Sequence, residues 1–372
     1  GMGGAIYSYA SKRATDKDFK VTVVDSQFTG NTAYNGGAIA NNGNLDVSGA
    51  TFKGNTASNW GGAIVNWQDM TVKGSTFEDN VAGVVGGAIG SDSTSNAVNI
   101  ASSVFKNNHS VYDGGAIGSY KGLTITGSTF EGNTAQLDKS DSGEWNVAVE
   151  DATAIGGGAI SLGAVSATAI ATIENTLFKN NVSGYNGGAI GTRMGKDANN
   201  SAAKLDISAT FTGNRAKNGG AIYNTQDNGD VNINADFIGN SATFVGSAYG
   251  GVIYNDDSGI IGNITGNFIG TSSASPYFYG GVIYNDGTIG NITGDFIRNS
   301  AAASSAVSSG GAIDNRGTIG DITGNFIRNS AAASSAVSSG GAIDNRGTIG
   351  DITGNFIRNS AAASSAVSSG GA

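Results

Sequence analysis

The chain has 372 residues, 61 of them glycine, with one proline, no cysteine, one histidine and a formal net charge of -9. These counts exclude disulfide frameworks, cysteine-based zinc sites and histidine-rich metal clusters. The acidic balance argues against sequence-independent nucleic-acid binding, and 39% hydrophobic residues with 13% charged ones are not the composition of a disordered chain.

The N-terminal segment through Phe19 carries no apolar signal-peptide core, and no run approaches the roughly 18 apolar residues of a membrane-spanning helix. The chain starts and stops inside a recurring motif, so it is expected to be a piece of a longer protein. Gly-Gly-Ala/Val-Ile begins at Gly3, Gly36, Gly61, Gly86, Gly114, Gly157, Gly187, Gly219, Gly250, Gly280, Gly310 and Gly340, and a truncated copy begins at Gly370. Between successive copies lies one Phe-x-x-Asn, led by Phe28, Phe52, Phe77, Phe105, Phe130, Phe178, Phe211, Phe237, Phe268, Phe296, Phe326 and Phe356. Only the copy at Phe268 departs, ending in Thr271. Residues 301–330 and 331–360 are identical.

One unit, 61–85, holds three short apolar runs, Ala63-Ile64-Val65, Met70-Thr71-Val72 and Thr76-Phe77, separated by turn residues. Three strands and three corners per unit predict one coil of an all-β, single-stranded parallel β-solenoid, with about twelve coils of about 25–33 residues. On that frame the paired glycines take positive φ at a corner and the twelve phenylalanines stack as a structural ladder. The asparagine of Phe-x-x-Asn accepts left-handed geometry and bonds its turn or the next asparagine. A second ladder is expected from Asn224, Asn255, Asn285, Asn315 and Asn345. The single Pro276 falls where insertions are tolerated. Residues 1–372 read as one continuous solenoid with a corner-loop insert at 134–156, smaller excesses near 8–20 and 191–204, and a change of repeat character near residue 219.

The alternation of GGAI with F-x-x-N resembles the chlamydial polymorphic outer-membrane proteins and related autotransporter passenger domains, over essentially the whole chain. The resemblance implies a right-handed parallel β-helix, type V secretion, and adhesion at the bacterial cell surface in association with the outer membrane. Any membrane anchor would then lie outside this sequence.

Candidate chemistry is sparse. No GxGxxG opens a helix and no GxxxxGK[ST] exists, so the glycines are corners rather than a phosphate cradle. His109 reads as a solvated turn residue. In the insert, Asp138, Asp141, Glu144 and Trp145 form a possible binding loop, with Lys139, Glu150 and Asp151 nearby. Its alternatives are a calcium site, a carboxylate pair for glycoside hydrolysis and a plain protruding loop. Tyr34, Trp60, Tyr112, Tyr185, Tyr249 and Tyr279 each lie one or two residues before a Gly-Gly. Stacked coils would place them along one edge of the rod, as a binding edge or as local cover for the corner. Arg316 and Arg346, like Asp314 and Asp344, are expected to stack as like charges relieved by pairing at i, i+2.

The expectation is therefore a non-catalytic extracellular surface β-helix, an adhesin or stalk that presents loops and an aromatic edge to a host-surface protein, a glycan or another copy of itself. A self-assembling filament or sheath protein is the alternative, and a polysaccharide-degrading β-helix enzyme comes third. No catalytic residue, cofactor, metal or nucleic-acid partner is expected.

Overall fold

The structure is a computed structural model that describes residues 1–9, 19–91, 97–120, 122–139, 145–147, 155–163, 170–193, 203–225, 230–243, 246–304, 307–334, 337–364 and 367–369. Every regular element among them is a β-strand. In the coil that starts at Gly61 the strands are Ile64–Asn66, Met70–Lys73, Thr76–Glu78 and Val81–Ala82. Strand alternation turns Ile64, Met70, Val72, Phe77 and Ala82 inward, where all are buried.

The chain winds these strands into a right-handed parallel β-helix. One sheet contains the strand after each Gly-Gly, twelve in all, from Ile6–Ser8 to Ile343–Asn345, with isoleucine paired to isoleucine throughout. A second sheet carries the strands before and at each phenylalanine. Two-residue strands from Thr32–Ala33 to Ser241–Ala242 close the first coils. In later coils longer serine- and alanine-rich strands take over that side, such as Ser300–Ala303 and Val307–Ser309. Pro276 sits between Ser272–Ser275 and Tyr277–Tyr279, and the insert begins as an antiparallel pair, Leu137–Lys139 with Trp145–Val147.

Each early coil bends at three residues with positive φ: one before the phenylalanine (Gly49, Gly74, Ser102, Gly127), one two after it (Gly54, Asp79, Asn107, Gly132), and the first glycine of the pair. The second glycine is needed for a different reason from the first. A Cβ on Gly62 would lie 2.0 Å from the carbonyl oxygen of Gly87 in the next coil. Positive φ in Phe-x-x-Asn falls on the residue before the asparagine, not on the asparagine, because that bend is what points the asparagine inward.

The twelve phenylalanine rings stack in one column, buried except for Phe28 and Phe356 at its two ends, with successive centroids 4.7–5.1 Å apart and planes within 14° of parallel. Beside them the asparagines form a hydrogen-bonded column. Asn80 Nδ2 donates to Asn108 Oδ1 at 2.9 Å and to the Phe52 carbonyl at 3.0 Å, while Asn108 Oδ1 also accepts the Asn80 backbone N–H at 3.1 Å. The same set recurs from Asn31 to Asn240 and from Asn299 to Asn359. The second ladder links Asn224, Asn255, Asn285, Asn315 and Asn345 at 2.7–2.8 Å. Asn41 and Asn66 join in the same way at the same offset from Gly-Gly, a pair that the sequence reading passed over.

His109 lies on the short strand His109–Ser110 rather than in a turn, with Nδ1 2.9 Å from Thr134 Oγ1. Lys53, Glu78, Lys106, Glu131 and Lys179 alternate in sign along one outer column, where Lys53–Glu78 and Lys179–Glu131 pair at 2.9 and 2.8 Å. These pairs are exposed and contribute little each.

Two substitutions probe the ladders. Phe105→Ala should cost about 3–5 kcal/mol through the cavity it leaves between two stacked rings. Thr271 interrupts the asparagine column, and its Oγ1 is buried without a partner. Thr271→Asn should therefore add roughly 1–2 kcal/mol by supplying the missing acceptor and donor. Chemical denaturation of the two variants beside the parent chain checks both.

Candidate binding face

The outward position between the inward Ile and the inward ladder residue decides what the Gly-Gly face can display. In several early coils it is glycine, at Gly90, Gly118 and Gly191. A Cβ there would strike the chain of an earlier corner: the Gly61 N at 2.9 Å from Gly90, the Val85 side chain at 2.1 Å from Gly118, and the Ile155 carbonyl oxygen at 2.1 Å from Gly191. Side chains before the corner thus lie down over a smooth face, and Trp60 stacks on Tyr120 at 5.4 Å.

From coil 219 onward the same position is Tyr223, Tyr254 and Tyr284, in register and stacked at 5.1 and 5.2 Å. Tyr249 and Tyr279, stacked on each other at 5.2 Å, stand against this column edge-on. Tyr249 meets Tyr284 at 5.0 Å and Tyr254 at 5.9 Å. Five tyrosines therefore form one L-shaped cluster across the corner. Arg316 closes one end, 4.9 Å from the Tyr279 ring and 5.1 Å from the Tyr284 ring. Tyr284 Oη donates to Asp286 Oδ2 at 2.9 Å, and Tyr254 Oη approaches Asp256 at 3.5 Å. Burial first, and the carboxylates of Asp256 and Asp286 after it, hold the hydroxyls of Tyr223, Tyr254 and Tyr284 far above the usual phenol range. They stay neutral donors at any physiological pH.

Of the six aromatics expected along one edge, the structure brings together only Tyr249 and Tyr279. Tyr34, Tyr112 and Tyr185 sit one residue earlier than Trp60, Tyr249 and Tyr279, and strand alternation separates the two sets. Tyr34 and Tyr112 are exposed, and Lys217 lies over Tyr185 at 4.4 Å. Sequence reasoning missed Tyr223, Tyr254 and Tyr284, although their shared offset from Gly-Gly was a usable signal. In the insert, Asp138 and Trp145 are on the two antiparallel strands, while Asp141 and Glu144 lie outside the described residues. No group of three or more His, Cys, Asp or Glu able to hold a metal occurs among the described residues.

Asp314 continues the Tyr284 position and pairs in register with Asp344, so the expected like-charge stack exists. Each is relieved at i, i+2: Arg316 Nε lies 3.5 Å from Asp314, and Arg346 lies 3.2 Å from Asp344. Asp314 is fully buried and neither carboxylate oxygen has a hydrogen bond. Burial outweighs Arg316, and the carboxyl is pushed up to about 6. A raised carboxyl favours the folded state when protonated, so its cost is absent below about pH 4 and grows to full size above about pH 6. Asp314→Asn should accordingly raise the melting temperature at pH 8 and change it little at pH 4, as a pair of thermal melts would reveal.

A family model, the Chlamydia polymorphic membrane protein repeat, matches residues 25–42, 49–66, 175–193 and 208–225. Each matched segment runs from a Phe-x-x-Asn to the following Gly-Gly-Ala-Ile, the pair of motifs on which the resemblance was read. Comparison with curated proteins and with solved structures found no match.

Proposed function

Because the chain carries polymorphic membrane protein repeats on a parallel β-helix, we propose that it is the non-catalytic, surface-exposed rod of an outer-membrane-associated adhesin. Its recognition face is the half-buried side of the tyrosine cluster, Tyr249, Tyr254 and Tyr279 with Arg316, backed by the buried rings of Tyr223 and Tyr284. That cluster carries the reading, because nothing in the coil geometry calls for it. Coils in which glycine or alanine stands at the outward position pair in the same register, so tyrosine there is not needed for winding. Neutral phenols beside a guanidinium and two carboxylates suit hydroxyl-rich or peptide surfaces of a host cell. The rigid ladder below holds the rings fixed, which lowers the ordering cost of binding.

Binding of the chain to host cells tests this. Tyr249→Ser with Tyr279→Ser should lower cell binding at least about tenfold, equivalent to roughly 1.4 kcal/mol, with the rod still folded by circular dichroism. Unchanged binding by the folded double variant would remove the cluster from recognition.

Self-assembly is the second reading, and a specific column favours it. Ile238, Ile269, Ile297, Ile327 and Ile357 face outward in register, with Ile238, Ile269 and Ile357 exposed. Asp295 lies on one side of this column and Arg298 on the other. A two-fold axis parallel to the rod would set isoleucine on isoleucine and Asp295 opposite Arg298 of a second copy. Sedimentation would show association that Ile297→Ser with Ile327→Ser abolishes. A chain monomeric at all concentrations tested would contradict this reading.

A further inference from the structure

We infer that the phenylalanine-bearing sheet carries a second binding site, separate from the tyrosine cluster, for an oligosaccharide without negative charge. The site arises from a missing residue. In the coil of Gly61, Val72 and Phe77 enclose Lys73-Gly74-Ser75-Thr76, and Gly74 makes the bend. Ile207 and Phe211 enclose only Ser208-Ala209-Thr210, and Ile233 and Phe237 only Asn234-Ala235-Asp236. With no bend residue, Lys204–Thr212 and Asp230–Ile238 run as single strands through the place where earlier coils turn. The coil before them still has the extra residue, and Asn175 bulges out with a register shift between Glu174 and Thr176. Straight strands beside a bulge leave the surface concave.

Two adjoining hollows result, of about 520 Å³ and about 350 Å³, and Ser208 and Asn234 line both. Between the hollows runs a column of outward side chains in register, Glu174, Ser208, Asn234 and Thr265. Among the described residues none of these four side chains has a hydrogen-bond partner, whereas amides and carboxylates in the columns on either side bond one another. On one side Asn232 donates to Asp206 at 3.1 Å and accepts from the Asn263 N–H at 3.3 Å. On the other, Asp236 accepts the backbone N–H and the Nδ2 of Asn267 at 3.0 and 3.1 Å. The free column therefore offers unspent donors and acceptors, one side chain per coil at the spacing of about 4.8 Å set by parallel strands.

The chemistry of the lining selects the ligand. Ser208, Asn234 and Thr265 each both donate and accept, and Glu174 accepts, which suits a ligand dense in hydroxyls; an extended chain along the rod would meet one side chain per coil. The lining contains three carboxylates, Glu174, Asp206 and Asp236, with no lysine or arginine. Uronate, sialate and sulfated glycans are repelled; neutral and N-acetylated sugars are not. Aromatic and cationic groups are absent from the lining here, in contrast to the tyrosine cluster, so the two sites differ in what they recognise.

Calorimetric titration of the chain with N-acetylchitohexaose, cellohexaose and maltohexaose, beside hexagalacturonate and a heparin hexasaccharide, tests the inference. At least one uncharged hexasaccharide should bind and both anionic ones should not. Ser208→Val with Asn234→Leu should weaken that binding at least about tenfold, as expected where hydrogen-bonding groups specify a ligand. Asn234→Ala alone, at an exposed side chain, should weaken it in the same direction if the double variant fails to fold. Tyr249→Ser with Tyr279→Ser should leave it intact, which separates failure here from failure of the adhesin reading. Binding of none of the three uncharged sugars would overturn the inference. So would preference for an anionic one, or retention of affinity in a folded Ser208→Val/Asn234→Leu variant.

Discussion

A buried asparagine is costly unless its amide oxygen and amide protons find partners. In this rod the group that engages them is the asparagine one coil away. Asn108 receives the Nδ2 and N–H of Asn80 on one oxygen and gives its own Nδ2 to Asn133 and to the Phe77 carbonyl. That exchange is possible at one register alone. A slip by one residue would turn every asparagine to solvent and every phenylalanine with it. Register is therefore set by polar geometry, and the hydrophobic stack of rings supplies the burial that the fixed register permits. Insertions are confined to corners for the same reason, since extra residues anywhere else would break the column.

Once the register is fixed, outward positions are free to vary, and the chain uses them in three ways. Alternating Lys and Glu occupy one column of the first coils, isoleucines occupy the same column later, and tyrosines appear where earlier coils have glycine. The scaffold is nearly constant while the displayed chemistry changes along the rod. This suits a surface protein, and the proposed recognition would then lie on rigid strands rather than on loops.

Much of this was legible in the sequence because inward residues repeat at fixed offsets. Gly-Gly, Phe and Asn each stand at one position per coil, so pairing of Phe105 with Phe130, or Asn285 with Asn315, follows from counting. What escaped depends on relations that counting one motif does not reveal. The tyrosine cluster joins two tracks on either side of a corner, so Tyr249 meets Tyr284 only after the corner angle is known. The expected six-residue edge failed for the related reason that Tyr34, Tyr112 and Tyr185 are one residue out of phase with Trp60. The hollows near Ser208 come from one residue fewer between Ile and Phe, and they span the change of repeat character placed near residue 219. The left-handed bend was assigned to the asparagine itself, although Asp79, Asn107 and Gly132 before it make the turn.

Amide hydrogen exchange along the asparagine column tests the central claim most directly. The column is continuous from Asn31 to Asn240 and resumes at Thr271, which accepts no amide from Asn240 and whose own N–H bonds Asn299 at 3.0 Å. If coil register rests on the asparagine exchange, the backbone N–H of Asn240 should exchange faster than those of Asn214 and Asn299, with the neighbouring phenylalanine amides equally protected throughout. Equal protection at Asn214, Asn240 and Asn299 would contradict the account and leave ring stacking alone to set the register.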